Sequence, residues 1–95
     1  MKVVEVNTKF DFGDLCATKG FMDKVHPAYA FSALAEHLQG HWGCIDDEDW
    51  QANNAALQRG GRILSAYPML ESEDIFWIIT EADRSVTTFL LPSEY

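Results

Sequence analysis

Apolar positions along this chain follow two different periods. Toward the C-terminus they come in short runs: Phe76-Trp77-Ile78-Ile79-Thr80, a five-residue polar break of Glu81-Ala82-Asp83-Arg84-Ser85, then Val86-Thr87-Thr88-Phe89-Leu90-Leu91-Pro92. Two runs of β-branched and aromatic residues around such a break predict a β-hairpin with a longer loop. Residues 62–67 read as a further strand, and residues 68–74 as a polar, acidic loop. At the other end, Val3-Val4-Glu5-Val6 reads as a first strand, and Lys9-Phe10-Asp11-Phe12 alternates like a short second one before Gly13-Asp14 interrupts.

Between these ends the period lengthens. Thr18 is placed to cap a short helix over residues 19–25, weakened by Gly20 and limited by Pro27, which pushes His26 out of helical geometry. Pro27 suits the first position of the next helix, over residues 28–39. There Phe31, Leu34, Ala35 and Leu38 follow the i, i+3, i+4, i+7 spacing of one apolar face, and Gly40 follows as a natural stop. After the His41-Trp42-Gly43-Cys44-Ile45 connection, Asp46 caps a third helix. Asp47, Glu48 and Asp49 fill its first turn, where the helix dipole favours negative charge; the helix ends at Arg59 before Gly60-Gly61. The order predicts an α+β fold: an antiparallel sheet, made of the C-terminal hairpin and one or two further strands, with two to three helices packed on one side.

Composition narrows the functional classes. Ninety-five residues make one domain, 1–95, with twelve aromatic residues to build its core. The net charge is −8 and the seven basic residues are scattered, which argues against direct binding of nucleic acid or of an anionic membrane. An acidic surface favours a basic partner instead. With two cysteines, Cys16 and Cys44, and no apolar signal core in the first residues, the expected setting is cytoplasmic, with free thiols.

Candidate chemistry is sparse. His37, His41 and Cys44 have ligand-like spacing, but zinc needs a fourth group from Cys16, His26 or an Asp. The plainer reading is surface histidines beside a buried thiol, so no metal and no cofactor is expected. Neither cysteine stands in a nucleophile motif, and no catalytic residue is assigned. Trp50, Asn53, Asn54 and Leu57 share a helix face, so amides sit in a core stripe, where one is expected to tie the helix to a carbonyl of the residue 41–43 turn. With Arg84 they form a second candidate, a small-molecule or purely structural polar site. Asp83, Arg84 and Ser85 suit a turn in which Arg84 pairs with Glu81 or Asp83. The carboxylates Asp46, Asp47 and Asp49, Glu71, Glu73 and Asp74, and Glu81 and Asp83 are the candidate partner-binding residues, whose spacing would imitate nucleic-acid phosphates if they shared one face.

Several motifs point in one direction. They are Phe10-x-x-Gly13, Ala17-Thr18-x-Gly20, Gly40-x-Trp42-Gly43 and Asp49-x-Gln51-Ala52-Asn53-x-x-Ala56-Leu57, then Gly61-x-x-Leu64-Ser65-Ala66-Tyr67. The chain closes on Trp77-Ile78-Ile79-Thr80-Glu81-Ala82-Asp83-Arg84-Ser85-x-Thr87-Thr88 and Leu90-Leu91-Pro92-x-Glu94-Tyr95. From about residue 8 to the end the sequence resembles a family of short bacterial proteins of plasmids and other mobile elements, departing from it at Lys19, where the family has Pro. Members are sometimes labelled a type I restriction modification subunit. That activity is not expected here, because a DNA methyltransferase needs a cofactor domain and an Asn- or Asp-Pro-Pro-aromatic motif, and this chain has no Pro-Pro. The resemblance implies an accessory factor of a mobile element. Joined to the acidic composition, it gives the expected function: a non-enzymatic protein-binding factor, with inhibition of a host defence nuclease by DNA mimicry as its sharpest form. The alternatives are a degenerate ribonuclease-toxin-like domain and a homodimer joined through an open sheet edge or the Trp42/Trp50 region.

Overall fold

A computed structural model describes residues 8–95, and the strand expected at Val3-Val4-Glu5-Val6 lies outside the described residues. The elements run β1 (Asp14–Ala17), α1 (Lys19–Lys24), α2 (Pro27–Leu38), α3 (Asp47–Arg59), β2 (Ile63–Pro68), β3 (Ile75–Thr80) and β4 (Val86–Leu90), closed by a single 3-10 turn, Pro92–Glu94. The fold is α+β, with the helices on one side of a four-stranded sheet of order β1-β4-β3-β2. The C-terminal hairpin pairs Ile78 with Phe89 and Thr80 with Thr87, and β2 adds to β3 antiparallel through Ser65 and Ile78. The sheet is mixed rather than wholly antiparallel, because β1 joins the far edge parallel to β4.

That edge strand is not where alternation placed it. Residues 9–12 form no strand, because their recorded backbone bonds run elsewhere: the Lys9 amide donates to the Leu38 carbonyl and the Phe12 carbonyl accepts from the Thr87 hydroxyl, while Phe10 and Phe12 pack half-buried against the core. Phe10 lies edge-on to His37 at 5.2 Å between ring centroids and tilted against Trp42 at 6.1 Å. The chain then turns at Gly13, whose φ of +63° and whose contact with the Ser85 backbone leave no room for a Cβ. Only beyond that turn does it extend, as β1.

The helices begin and end where their caps dictate. The Thr18 hydroxyl accepts from the Phe21 amide, His26 Nδ1 from the Ala28 amide and an Asp46 carboxylate oxygen from the Asp49 amide. α2 buries Ala30, Ala33, Leu34, His37 and Leu38, while Phe31 is 60% exposed. The expected stripe is therefore rotated by about one position, because His37 enters the core and takes the helix face with it. Phe21 of α1 stacks on Phe89 and meets Phe76 edge-on, and Ala56 of α3 forms a smaller cluster with Trp42 and Ile63.

Candidate functional site

Among the described residues, three polar assemblies and a surface depression bring together most of the candidate side chains. The first is a chain of hydrogen bonds through the core. His37 is fully buried, with Nδ1 2.5 Å from Ser65 Oγ and Nε2 2.9 Å from Thr80 Oγ1; Thr80 Oγ1 lies 2.7 Å from Thr87 Oγ1, which donates to the Phe12 carbonyl at 2.8 Å. A carbonyl only accepts, so the single Thr87 proton points at Phe12. Thr80 must then donate to Thr87, His37 Nε2–H to Thr80, and Ser65 to His37 Nδ1. With the ring neutral, the chain admits one proton arrangement, His37 being protonated on Nε2. Burial, helped by the Arg84 charge, lowers the His37 pKa to about 3, consistent with that arrangement. A serine hydroxyl on a histidine nitrogen resembles an activated nucleophile, but Ser65, His37, Thr80 and Thr87 each have 0% exposure. The Ser65 oxygen faces the core, not solvent.

This placement corrects the reading of His37 as a surface residue. It also inverts that of Cys44, which is exposed, as is Cys16. His41 is exposed and bonded to Glu36 at 2.7 Å. His37, His41 and Cys44 thus occupy different environments, and among the described residues no group of three or more His, Cys, Asp or Glu side chains converges as a metal site.

The second assembly closes the outer edge of β2. Asn53 is buried; its Nδ2 donates to the Leu64 carbonyl at 2.7 Å and its Oδ1 accepts from the Leu64 amide at 3.2 Å, so the amide stands in for a neighbouring strand. One register further, the Ala66 amide donates to the Trp42 carbonyl and the Ala66 carbonyl accepts from the Cys44 amide. Gly43 permits this approach: a Cβ there would fall 1.9 Å from the Ala66 carbonyl oxygen. Asn54 is exposed and accepts from the fully buried Trp42 indole at 3.1 Å. One amide is expected to tie α3 to a carbonyl of the 41–43 turn; instead both anchor the helix, Asn53 to strand β2 and Asn54 to the Trp42 indole. Trp42 is enclosed, whereas Trp50 is half-buried.

The third assembly is centred on Arg84, in the hairpin loop at a φ of 62°. Its guanidinium donates to the carbonyls of Gly61 at 2.6 Å, Glu81 at 3.1 Å and Ala56 at 3.1 Å, and lies over the Phe10 ring. The recorded side-chain partners of Arg84 are therefore carbonyls, which corrects the expected pairing with Glu81 or Asp83. Glu81 faces Arg62 at 3.5 Å, and Asp83 accepts from the Ser85 amide and hydroxyl in a local turn that lowers the Asp83 pKa. Arg84, Asn53 and Asn54 do not converge on one polar pocket; each holds a different joint of the fold.

The remaining carboxylates are distributed. The loop carrying Glu71, Glu73 and Asp74 lies between β2 and β3, whereas Glu81 and Asp83 lie between β3 and β4. The two groups thus stand at opposite ends of β3, roughly 20 Å apart for a strand of this length. Asp46, Asp47 and Asp49 occupy the N-terminus of α3, with Asp46 engaged as the cap. Beside the β2–β3 loop is an open depression of about 460 Å³ between that loop and the α1–α2 junction. Val25, Tyr29, Met69 and Leu70 supply its apolar surface, and Asp23, Glu71 and Asp74 stand among its polar lining with Lys24 and His26, so the carboxylates outnumber the one lysine. The Tyr29 hydroxyl, donating to the Pro68 carbonyl at 2.5 Å, joins its two walls. Sequence patterning missed this site, because it combines residues nearly fifty positions apart; its one local signal is Leu70, a large apolar residue in an acidic loop and 75% exposed.

Comparison with protein-family models, with curated proteins and with solved structures finds no match to this chain.

Proposed function

We propose that this protein is a non-catalytic binding factor that engages a basic protein partner through the depression between the α1–α2 junction and the β2–β3 loop. The observation that carries the reading is the pairing of an apolar floor with carboxylates of a chain whose net charge is −8. An apolar anchor residue of the partner would sit on Tyr29, Met69 and Leu70, and flanking Lys or Arg side chains would meet Asp23, Glu71 and Asp74. The assemblies around His37, Asn53 and Arg84 support it, since each spends its polar groups inside the fold.

The mobile-element resemblance adds the biological form of the proposal: an accessory factor that binds a host defence nuclease. Because the acidic groups stand at opposite ends of β3, the reading favours contact at the 71–74 pole over phosphate mimicry along a continuous acidic strip. The test compares the wild-type protein with two charge reversals as affinity baits in host extract. Glu71→Lys with Asp74→Lys should lose the bound protein, and Asp47→Lys with Asp49→Lys should retain it. Equal retention by both, or loss only with the α3 reversal, would refute the site. A retained partner with no nuclease or defence activity would refute the biological form alone.

A further inference from the structure

The two edges of the sheet are treated differently. On β2, Asn53 occupies Leu64, residues 42–44 occupy Ala66, and Pro68 lacks an amide proton. Among the described residues, β1 pairs only with β4, and all four of its residues are exposed. The Asp14 amide donates to the Ser85 carbonyl and the Thr18 amide to that of Phe89, so the alternation of a parallel ladder turns the amides and carbonyls of Leu15 and Ala17 outward. An outward edge of this kind is a template for another strand.

We propose that the occupant of this edge is β1 of a second copy, antiparallel about a two-fold axis through Cys16. The geometry is self-complementary. Leu15 and Ala17 are the outward-bonding residues and lie two positions apart, so each Leu15 exchanges both its bonds with Ala17 of the other copy. Cys16 then faces its own counterpart as the non-hydrogen-bonded pair, with Cα atoms about 4.5 Å apart, inside the range a disulfide spans. The same register sets Asp14 opposite Thr18 and beside Lys19 of the other copy, a charge match repeated on both sides of the axis. A four-residue edge buries less than the ~800 Å² per partner of a stable dimer, so the pairing is weak and reversible.

Cys16 reports on it directly. Diamide takes two electrons and two protons from a pair of thiols and leaves one S–S bond. In the full chain, Cys44→Ser should form covalent dimer about tenfold faster than Cys16→Ser, after correction for each thiol's rate with a monofunctional alkylating reagent. Asp14→Lys should slow the Cys44→Ser reaction, and adding Lys19→Glu should restore it. Leu15→Pro, which removes one outward amide, should slow it while leaving the circular dichroism spectrum unchanged. Equal corrected rates for the two cysteine variants would overturn the proposal, as would a rate indifferent to the Asp14 and Lys19 charges. Either would leave the edge to a strand other than a second copy.

Discussion

His37 Nε2 lies 2.9 Å from Thr80 Oγ1, a bond that joins the middle of the sheet to the last turn of α2. It makes folding sensitive to acid. The His37 pKa is depressed from 6.5 to about 3 in the folded protein by burial and, secondarily, by Arg84, so between those values the unfolded chain binds the proton more readily. The stability this group contributes is present above pH 6.5 and is lost as pH falls toward 3. From pH 8 to pH 5 the loss is about 2 kcal/mol, above the range where the lowered carboxylates of Asp83 and Glu94 titrate. Urea unfolding at both pH values measures it. His37→Phe should be less stable at pH 8 but nearly flat across the same interval.

Arg84 is the joint between the hairpin loop, α3 and the β2 entry. Arg84→Ala removes a charged donor from three carbonyls and should destabilise by roughly 2–3 kcal/mol. Arg84→Gly loses the same bonds but relieves the positive φ, and should recover about 1 kcal/mol of that loss. Arg84→Lys should fall between Ala and wild type, since an ammonium cannot span the three acceptors in one plane. Thermal unfolding of the three variants gives the order.

Asn53 and Gly43 guard one edge, so their loss should cause association as well as instability. Asn53→Ala leaves the Leu64 amide and carbonyl without a partner and should cost about 2 kcal/mol. Gly43→Ala drives a Cβ into the Ala66 carbonyl at a φ of +78° and should be at least as damaging. Light scattering near the midpoint of unfolding should show aggregation of both variants at concentrations where wild type stays clear.

Glu94 holds the start of α1 from the other end of the chain, accepting from Thr18 Oγ1 at 2.5 Å and from the Gly20 amide at 3.0 Å, bonds that lower its pKa. Glu94→Gln should free the Gly20 amide and speed hydrogen exchange through α1 while leaving β3 protected. Gly20→Ala, whose Cβ would stand 2.6 Å from a Glu94 carboxylate oxygen, should displace that side chain and give the same local pattern. Uniform acceleration across the sheet would contradict both.

The hairpin, the caps and the helix order were legible in sequence because each is set by neighbours along the chain: Asp46 caps three residues ahead, and Pro27 starts the helix it opens. The mixed sheet was not. The pairing of β1 with β4 follows the turn at Gly13, where the chain meets the Ser85 backbone, a long-range contact that no local pattern records. His37 shows both sides. Ala30, Ala33, Leu34, His37 and Leu38 keep helical spacing as well as the stripe containing Phe31, and hydropathy favours Phe31. The contrary signal lay in the strands: Ser65, Thr80 and Thr87 fall at inward positions beside Ile63, Ile78 and Phe89, so three hydroxyls faced the core and needed a shared partner. The acidic residues were read correctly as surface groups, but their separation across β3, and the depression beside one group, follow from topology.

The central claim is that the most chemistry-like pair in this protein, Ser65 and His37, holds the fold and has no free proton to give. Long-range 15N–1H correlation spectra of the His37 ring test it in one experiment. The account predicts a neutral ring protonated on Nε2, unchanged from pH 8 to pH 5, with a slowly exchanging Ser65 hydroxyl proton. A ring that titrates near 6.5, or one protonated on Nδ1, would contradict it and would return His37 and Ser65 to consideration as a reactive pair.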